Sequence, residues 1–326
     1  MGELKDRVDE VRADLAGKDP RWLRLEDMVA ELAGEGYDFS VLDGNVIVGN
    51  PDRTHEYHAD VLPKGRASLA VISDTHFGST YEQLTALRQF IAEADDHNDG
   101  DGVDAILHAG DLTQGTPKAH RGMEHEVHLR SVDGQAGYTA EVLPRSRHGT
   151  PYYVITGNHD DWWLNESGAN VVRMVSNRRD DVRYIGQDAC YFTLKGEEAD
   201  LRTYLVHPDG GQSYAKSYKP QKLTEAIPID SRTQLAIIGH YHTFGVFEVQ
   251  KTITIMQPCF QGQYPWMVRK SLYPTIGGII IDIEFDEGAV SRFDWSLRKY
   301  PELTEDYDRE ASARWQRPGG VLPEDG

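Results

Sequence analysis

The chain predicts an α/β layered fold whose strands bring reactive side chains to one sheet edge. Three observations predict it. From Ala67 onward, short apolar, β-branched runs alternate with helical patterns, as in a layered α/β sheet. Beyond about residue 180 helices become scarce and strand-like runs follow one another, which calls for a second sheet packed on the first. Finally, five polar segments each follow an apolar run: Asp74-Thr75-His76, Gly110-Asp111, Gly157-Asn158-His159-Asp160, His207 and Gly239-His240-Tyr241-His242.

In chain order, residues 3–16 and 22–33 predict amphipathic helices separated by Gly17-Lys18-Asp19-Pro20. The second helix carries Leu23, Leu25, Met28, Val29 and Leu32 on one stripe. A hairpin follows, with Phe39–Val41 and Val46–Val48 alternating around Asp43-Gly44-Asn45. Helix, helix and hairpin resemble a winged-helix module without its third helix. Such a piece serves either as a packing or dimerisation appendage, which leaves a homodimer open, or as a DNA-binding element. Residues 51–65 are polar and read as a linker, so residues 1–62 form an N-terminal appendage with its linker. The main domain is expected over 63–298 and an acidic C-terminal tail over 299–326. Within the main domain, strands are predicted at 68–73, 103–108, 152–156, 182–185, 190–194, 202–206, 234–238, 246–249, 252–256, 279–285 and 292–296, with a helix at 82–95.

Composition narrows the function classes. With 326 residues and 39% apolar content, the chain can bury a sizeable core. No leader pattern or membrane-length apolar run is evident, so a cytoplasmic protein with no membrane partner is expected. Cys190 and Cys259 are too few for a disulfide framework or a cysteine-based zinc site and read as core thiols. The formal charge of −19 weighs against tight binding of a polyanion, which ordinarily shows as a basic surface.

The five segments carry the chemistry. Two divalent ions bridged by one carboxylate need mixed oxygen and nitrogen ligands drawn from several strands, and these segments supply them. Asp74 and His76 lie two residues apart on a chain leaving a strand, where both can face one ion. Gly110 lets the backbone turn sharply before Asp111. Asn158 offers a neutral amide oxygen, and by their spacing His240 and His242 can face different metals.

Taken together over residues 67–298, these motifs resemble the calcineurin-like metallophosphoesterase superfamily. The resemblance implies a four-layer αββα sandwich. It also implies that Asp74, His76, Asp111 and His242 hold one divalent metal, while Asn158, His207, His240 and the shared Asp111 hold the other. Oxygen and imidazole donors suit Mn2+, with Fe or Zn2+ as alternatives. In this family the histidine corresponding to His159 faces the substrate and protonates or stabilises the departing oxygen, and Asp160 is then placed to orient that imidazole.

The implied reaction is in-line attack on phosphorus by a metal-bridging hydroxide, with no covalent intermediate. A phosphodiester, in nucleic acid or a nucleotide, is the expected substrate. The Asn-His-Asp form is commoner in nuclease and phosphodiesterase branches, and Asp74-Thr75-His76-Phe77-Gly78 is similar to double-strand-break repair exonucleases. The segments after His207 and around Arg269 resemble phage-type phosphoesterases. The alternative is a phosphomonoesterase acting on a nucleotide, a small metabolite or a phosphoprotein. Lys216, Lys219, Arg269 and Lys270 form either a cationic rim for substrate or merely solvated charges. The stretch from Thr113 to Thr150, which holds His120, Glu124, His125, Glu126 and His128, reads as a substrate-shaping insertion, and His108 as either a support for the site or a core residue.

Overall fold

The computed structural model describes residues 39–42, 45–48, 55–59 and 65–316, apart from 121, 195–199, 228–232 and 287–288. The chain divides into two compact units, Met1–His55 and Glu56–Gly326. In the first, β1 (Phe39–Leu42) and β2 (Asn45–Val48) pair antiparallel, with Phe39 opposite Val48 and Leu42 opposite Asn45. The helices expected at 3–16 and 22–33, and with them the winged-helix reading, lie outside the described residues.

The second unit is built on two six-stranded sheets. One contains β4 (Arg66–Ile72), β5 (Ala105–His108), β6 (Tyr152–Ile155), β7 (Val182–Gly186), β13 (Gly277–Asp286) and β14 (Ala289–Lys299), in the order β14-β13-β4-β5-β6-β7. The other contains β3 (His55–Ala59), β8 (Ala189–Leu194), β9 (Leu201–Val206), β10 (Leu235–Ile238), β11 (Gly245–Val249) and β12 (Thr252–Met256), in the order β11-β12-β10-β9-β8-β3. β3 falls inside the stretch expected to be a linker. Its run His55-Glu56-Tyr57-His58-Ala59 lacks an apolar pattern, and its strand state comes from pairing at a sheet edge.

Side-chain alternation with period two builds the layers. Leu69 and Val71 of β4 point into the core between the sheets, where they meet Phe192, Leu205, Ile237 and Ile255. Ala70 and Ile72 point the other way, to a helical layer that contributes Leu87, Phe90, Tyr138 and Val172. That layer comprises α1 (Leu84–Asp95), α2 (Val132–Val142), α4 (Val171–Ser176) and α7 (Arg309–Trp315), with α3 (Asn158–Ser167) between β6 and α4. On the far side α5 (Tyr218–Glu225) packs on the second sheet, with Leu223 against Val206, Ile238 and Met256. The result is the expected four-layer αββα sandwich.

β4, β5 and β6 are mutually parallel, as are β9 and β10. In register, Ile72 pairs with His108, His108 with Val154, and Ile238 with Val206, so the C-terminal ends within each sheet are level. The segments that follow them emerge at a common edge.

Two elements depart from expectation. α2 lies in the stretch read as a substrate-shaping insertion, and periodicity does not reveal it because it is buried nearly all round, from Gly134 to Ala140. Ser131 caps it by accepting from Gly134 N at 3.1 Å. The acidic tail is also part of the body as far as residue 316. Asp308 caps α7 through Ala311 N at 3.0 Å, and the Trp315 indole donates to Glu141 at 2.8 Å. The Trp315 ring occupies the space a side chain at Gly137 would need, which is why glycine stands there. Trp315 is only 4% exposed. Trp315→Ala is therefore expected to lower stability by about 3 kcal/mol in urea unfolding; a loss below about 0.5 kcal/mol would mean the tail does not belong to the core.

Candidate metal centre

The site begins with backbone conformation at the strand ends. Asp74, His76, Asp111, His240 and His242 all have φ between 48° and 77°, the left-handed region that non-glycine residues rarely occupy. Such residues persist where the surroundings over-determine them, and they gather at functional sites. Here Asp74 N donates to Gly110 O at 3.0 Å and His76 N to Asp111 O at 3.1 Å, coupling the turns after β4 and β5. Gly110 itself has φ +88°, and a β-carbon there would lie 2.5 Å from the His207 ring. Likewise a side chain at Gly157 would collide with the Asp111 carboxylate at 2.4 Å.

Asp111 stands at the centre. Its Oδ2 lies 3.1 Å from His207 Nε2, 3.7 Å from His76 Nε2 and 4.0 Å from His159 Nε2, while Oδ1 accepts from His159 N at 2.8 Å. On one side Asp74 Oδ1 is 3.1 Å from His242 Nε2, which is 3.2 Å from His76 Nε2. On the other, His207 Nε2 is 3.3 Å from the Asn158 amide oxygen, and the ligand atoms of Asp111, His207 and His240 lie within 4.8 Å of one another. Asp74, His76 and His242 form a second group of that kind, and His76, Asp111 and His159 a third.

Backbone carbonyls select which ring nitrogen of each histidine faces the cluster. His207 Nδ1 donates to Ala109 O at 2.8 Å and His240 Nε2 to Gly210 O at 2.9 Å. Because a carbonyl only accepts, the opposite nitrogen of each ring is left free of that bond and available to the cluster, where a bound cation would take the place of a proton. His159 follows the same rule, with Nδ1 donating to Gln114 O at 2.9 Å and Nε2 turned to Asp111.

Electrostatics reflect this crowding. Burial pushes the Asp74 carboxyl up, but His242 outweighs it and holds it below the usual carboxylate range. Asp111 is lowered too, because His207 and His159 overcome the effect of burial. Burial pushes His207 down, yet Asp111 raises it to about 10, whereas burial leaves His159 at about 4. His242 is raised despite burial, by Cys259 and Asp74. The donor set fits divalent ions. Asp74 Oδ1 and the Nδ1 atoms of His76 and His242 are buried without a hydrogen-bond partner, and two carboxylates and four imidazoles converge where cations would compensate the charge.

The structure thus brings together all seven residues expected as ligands. Asp160 departs from its expected role. Its carboxylate, 1% exposed, accepts from Leu112 N, Thr113 N, Thr113 Oγ1 and Gly157 N at 2.8–3.0 Å and makes no hydrogen bond to His159. It sits in the first turn of α3 and ties the turns after β5 and β6 together; burial, then the Asp111 charge, push it up to about 7. The group that orients His159 is the Gln114 carbonyl, for which no local motif exists. Behind it, the Gln114 side chain accepts from buried Gln261 at 3.0 Å. His108 supports the site: fully buried, its Nε2 lies 3.0 Å from the hydroxyl of Thr75, between Asp74 and His76.

A cavity of about 310 Å³ opens over this floor, with His76, Asp111, His159, His240 and His242 at its base. Trp162, Tyr264, Trp266 and Tyr273 line it, and among the described residues no lysine or arginine does. Lys216, Lys219, Arg269 and Lys270, read as either a cationic rim or solvated charges, are not among its lining residues. Arg269 and Lys270 lie at the end of α6 (Pro265–Arg269), which turns Met267 inward and leaves both exposed; Lys216 is also exposed and Lys219 half-buried beside Gly210. His120, read as part of an insertion, is a wall residue, with its ring 5.5 Å from His159 and 5.1 Å from Trp162.

Among the described residues no helix is long and apolar enough to cross a membrane. No curated protein matches the chain significantly in sequence. Similar solved structures include a novel archaeal phosphodiesterase (13% identity, 71% of this chain and 99% of that one, TM-score 0.40). Others are a predicted phosphoesterase from Streptococcus pneumoniae (14%, 72% and 98%, TM-score 0.33) and vacuolar protein sorting 29 from Cryptosporidium parvum (11%, 73% and 100%, TM-score 0.35). The family model for calcineurin-like phosphoesterases matches residues 67–244, which spans β4 through His240 and His242. With more than half its length matched, the chain belongs to the calcineurin-like phosphoesterase family, metal-dependent hydrolases of phosphate esters.

Proposed function

We propose that this protein is a dinuclear metal-dependent phosphodiesterase. Asp74, His76, Asp111 and His242 hold one divalent ion, and Asn158, His207, His240 and the shared Asp111 the other, with Mn2+ favoured over Fe or Zn2+. When bound, such ions offset charge on phosphate oxygens and bring the pKa of water toward neutrality. The chain's own contribution is positional. Asp111, placed between the two groups, keeps them at a common centre. His159, with Nδ1 bound to Gln114 O, presents Nε2 at the cavity base, where it can protonate or stabilise the departing ester oxygen.

One observation carries the choice of diester: histidines and Asp111 pave the cavity floor while, among the described residues, its walls hold no lysine or arginine. A monoester dianion brings a second charge that cationic side chains ordinarily meet, whereas a diester brings only one. The same walls favour a nucleotide-sized ester over nucleic acid, whose successive phosphates call for a basic track.

The reading is tested by hydrolysis of bis- and mono-p-nitrophenyl phosphate in added Mn2+, beside single- and double-stranded DNA. Turnover of the diester should exceed that of the monoester, with little degradation of DNA. Activity confined to the monoester would sink it.

Two substitutions separate adjacent residues. His159→Ala should lower kcat by about 10²- to 10⁴-fold with metal content by elemental analysis unchanged; lost metal would make His159 a ligand, and unchanged turnover would remove its role. Asp160→Asn leaves buried backbone donors facing an amide and should cost about 2 kcal/mol or more of stability, read as a lower Tm. An unaltered Tm would contradict the tethering described above.

A further inference from the structure

We propose that the cavity above the histidine cluster selects small phosphodiesters bearing a nucleobase, with the base lying flat against the Tyr264–Trp266 pair. This rests on the phosphodiesterase reading and narrows its substrate. The two rings are nearly parallel, 14° between planes and 6.0 Å between centroids. They sit at the start of α6, where Pro265 sets the first turn and buried Met267 anchors the helix.

Around them the protein exposes apolar surface that it could have covered. Trp266 is 39% exposed and Tyr273 72%, and both line the cavity. A third flat face, Trp162, lies 3.9 Å from the His159 ring, so aromatic surface begins beside the group that meets the departing oxygen. Planar rings stack on such faces whatever their sequence, since every base has a π-face.

Polar groups stand nearby for the edge of a ring. Gln212, whose amide donates to the Thr243 hydroxyl at 3.0 Å, lines the cavity with it. An aromatic face with an amide and a hydroxyl beside residues that would hold phosphate-binding metal ions matches a nucleoside phosphate better than a simple alkyl ester. Among the described residues no lysine or arginine lines the cavity, which sets the upper limit, because a polymer would place further phosphates against walls without a basic track.

The test uses the full chain in Mn2+ and two diesters with the same leaving group and charge: the p-nitrophenyl ester of thymidine 5′-phosphate and methyl p-nitrophenyl phosphate. The nucleoside ester should have a kcat/KM about tenfold higher or more, the effect of one base–aromatic stack. Trp266→Ala should bring that ratio close to one. Trp295→Ala, which removes an exposed tryptophan of β14 that does not line the cavity, should leave it unchanged. A wild-type ratio near one, or a ratio unmoved by Trp266→Ala, overturns the proposal. Calorimetry provides a readout independent of turnover: adenosine 5′-phosphate should bind about tenfold more tightly than ribose 5-phosphate, and equal affinities overturn the base site. If neither diester is hydrolysed while that binding preference stands, the phosphodiesterase reading fails and the base site does not.

Discussion

Everything around the site depends on one buried carboxylate, that of Asp111. It is 1% exposed and has three imidazole nitrogens within 4.0 Å of a single oxygen. A carboxylate taken out of water at this depth survives only with compensating charge and hydrogen bonds, and the fold supplies both. The backbone amide of His159, in the first turn of α3, bonds its other oxygen, so the helix N-terminus adds a favourable dipole to a direct contact. Charge compensation and strand geometry converge on one atom.

Holding that arrangement takes a shell made mostly of main chain. The rings of His207, His240 and His159 are oriented by the carbonyls of Ala109, Gly210 and Gln114. Asp160 supplies the complementary service, gathering backbone donors from the turns after β5 and β6. Left-handed conformations at Asp111 and at four residues around it are thus sustained by hydrogen bonds between neighbouring turns. A small shift in one turn would move ligands delivered by others.

Much of this was legible before any coordinates. β6 and β10 are continuous apolar runs and β4 and β5 are largely apolar, so their existence follows from composition over four to seven residues. The polar residues that end them stand out by contrast, which is why seven candidate ligands could be named. α2 was not legible, because burial on all sides erases the amphipathic signal. β3 was not, because a neighbouring strand imposes its conformation on a polar run. The packing of Trp315 against Gly137 joins positions 178 apart, a relation no local pattern records.

By itself the sequence determined the layered fold, the strand ends that carry chemistry and the donor types gathered there, since all three are encoded in short windows of polarity and residue type. Only the tertiary structure decided that Gln114 rather than Asp160 orients His159, that the basic residues near 216 and 269 stay outside the cavity walls, and that aromatic rings line them instead. The physical reason is the same in each case. A side chain's partner is set by which distant turns meet at the sheet edge, and those meetings are made by packing the two sheets together.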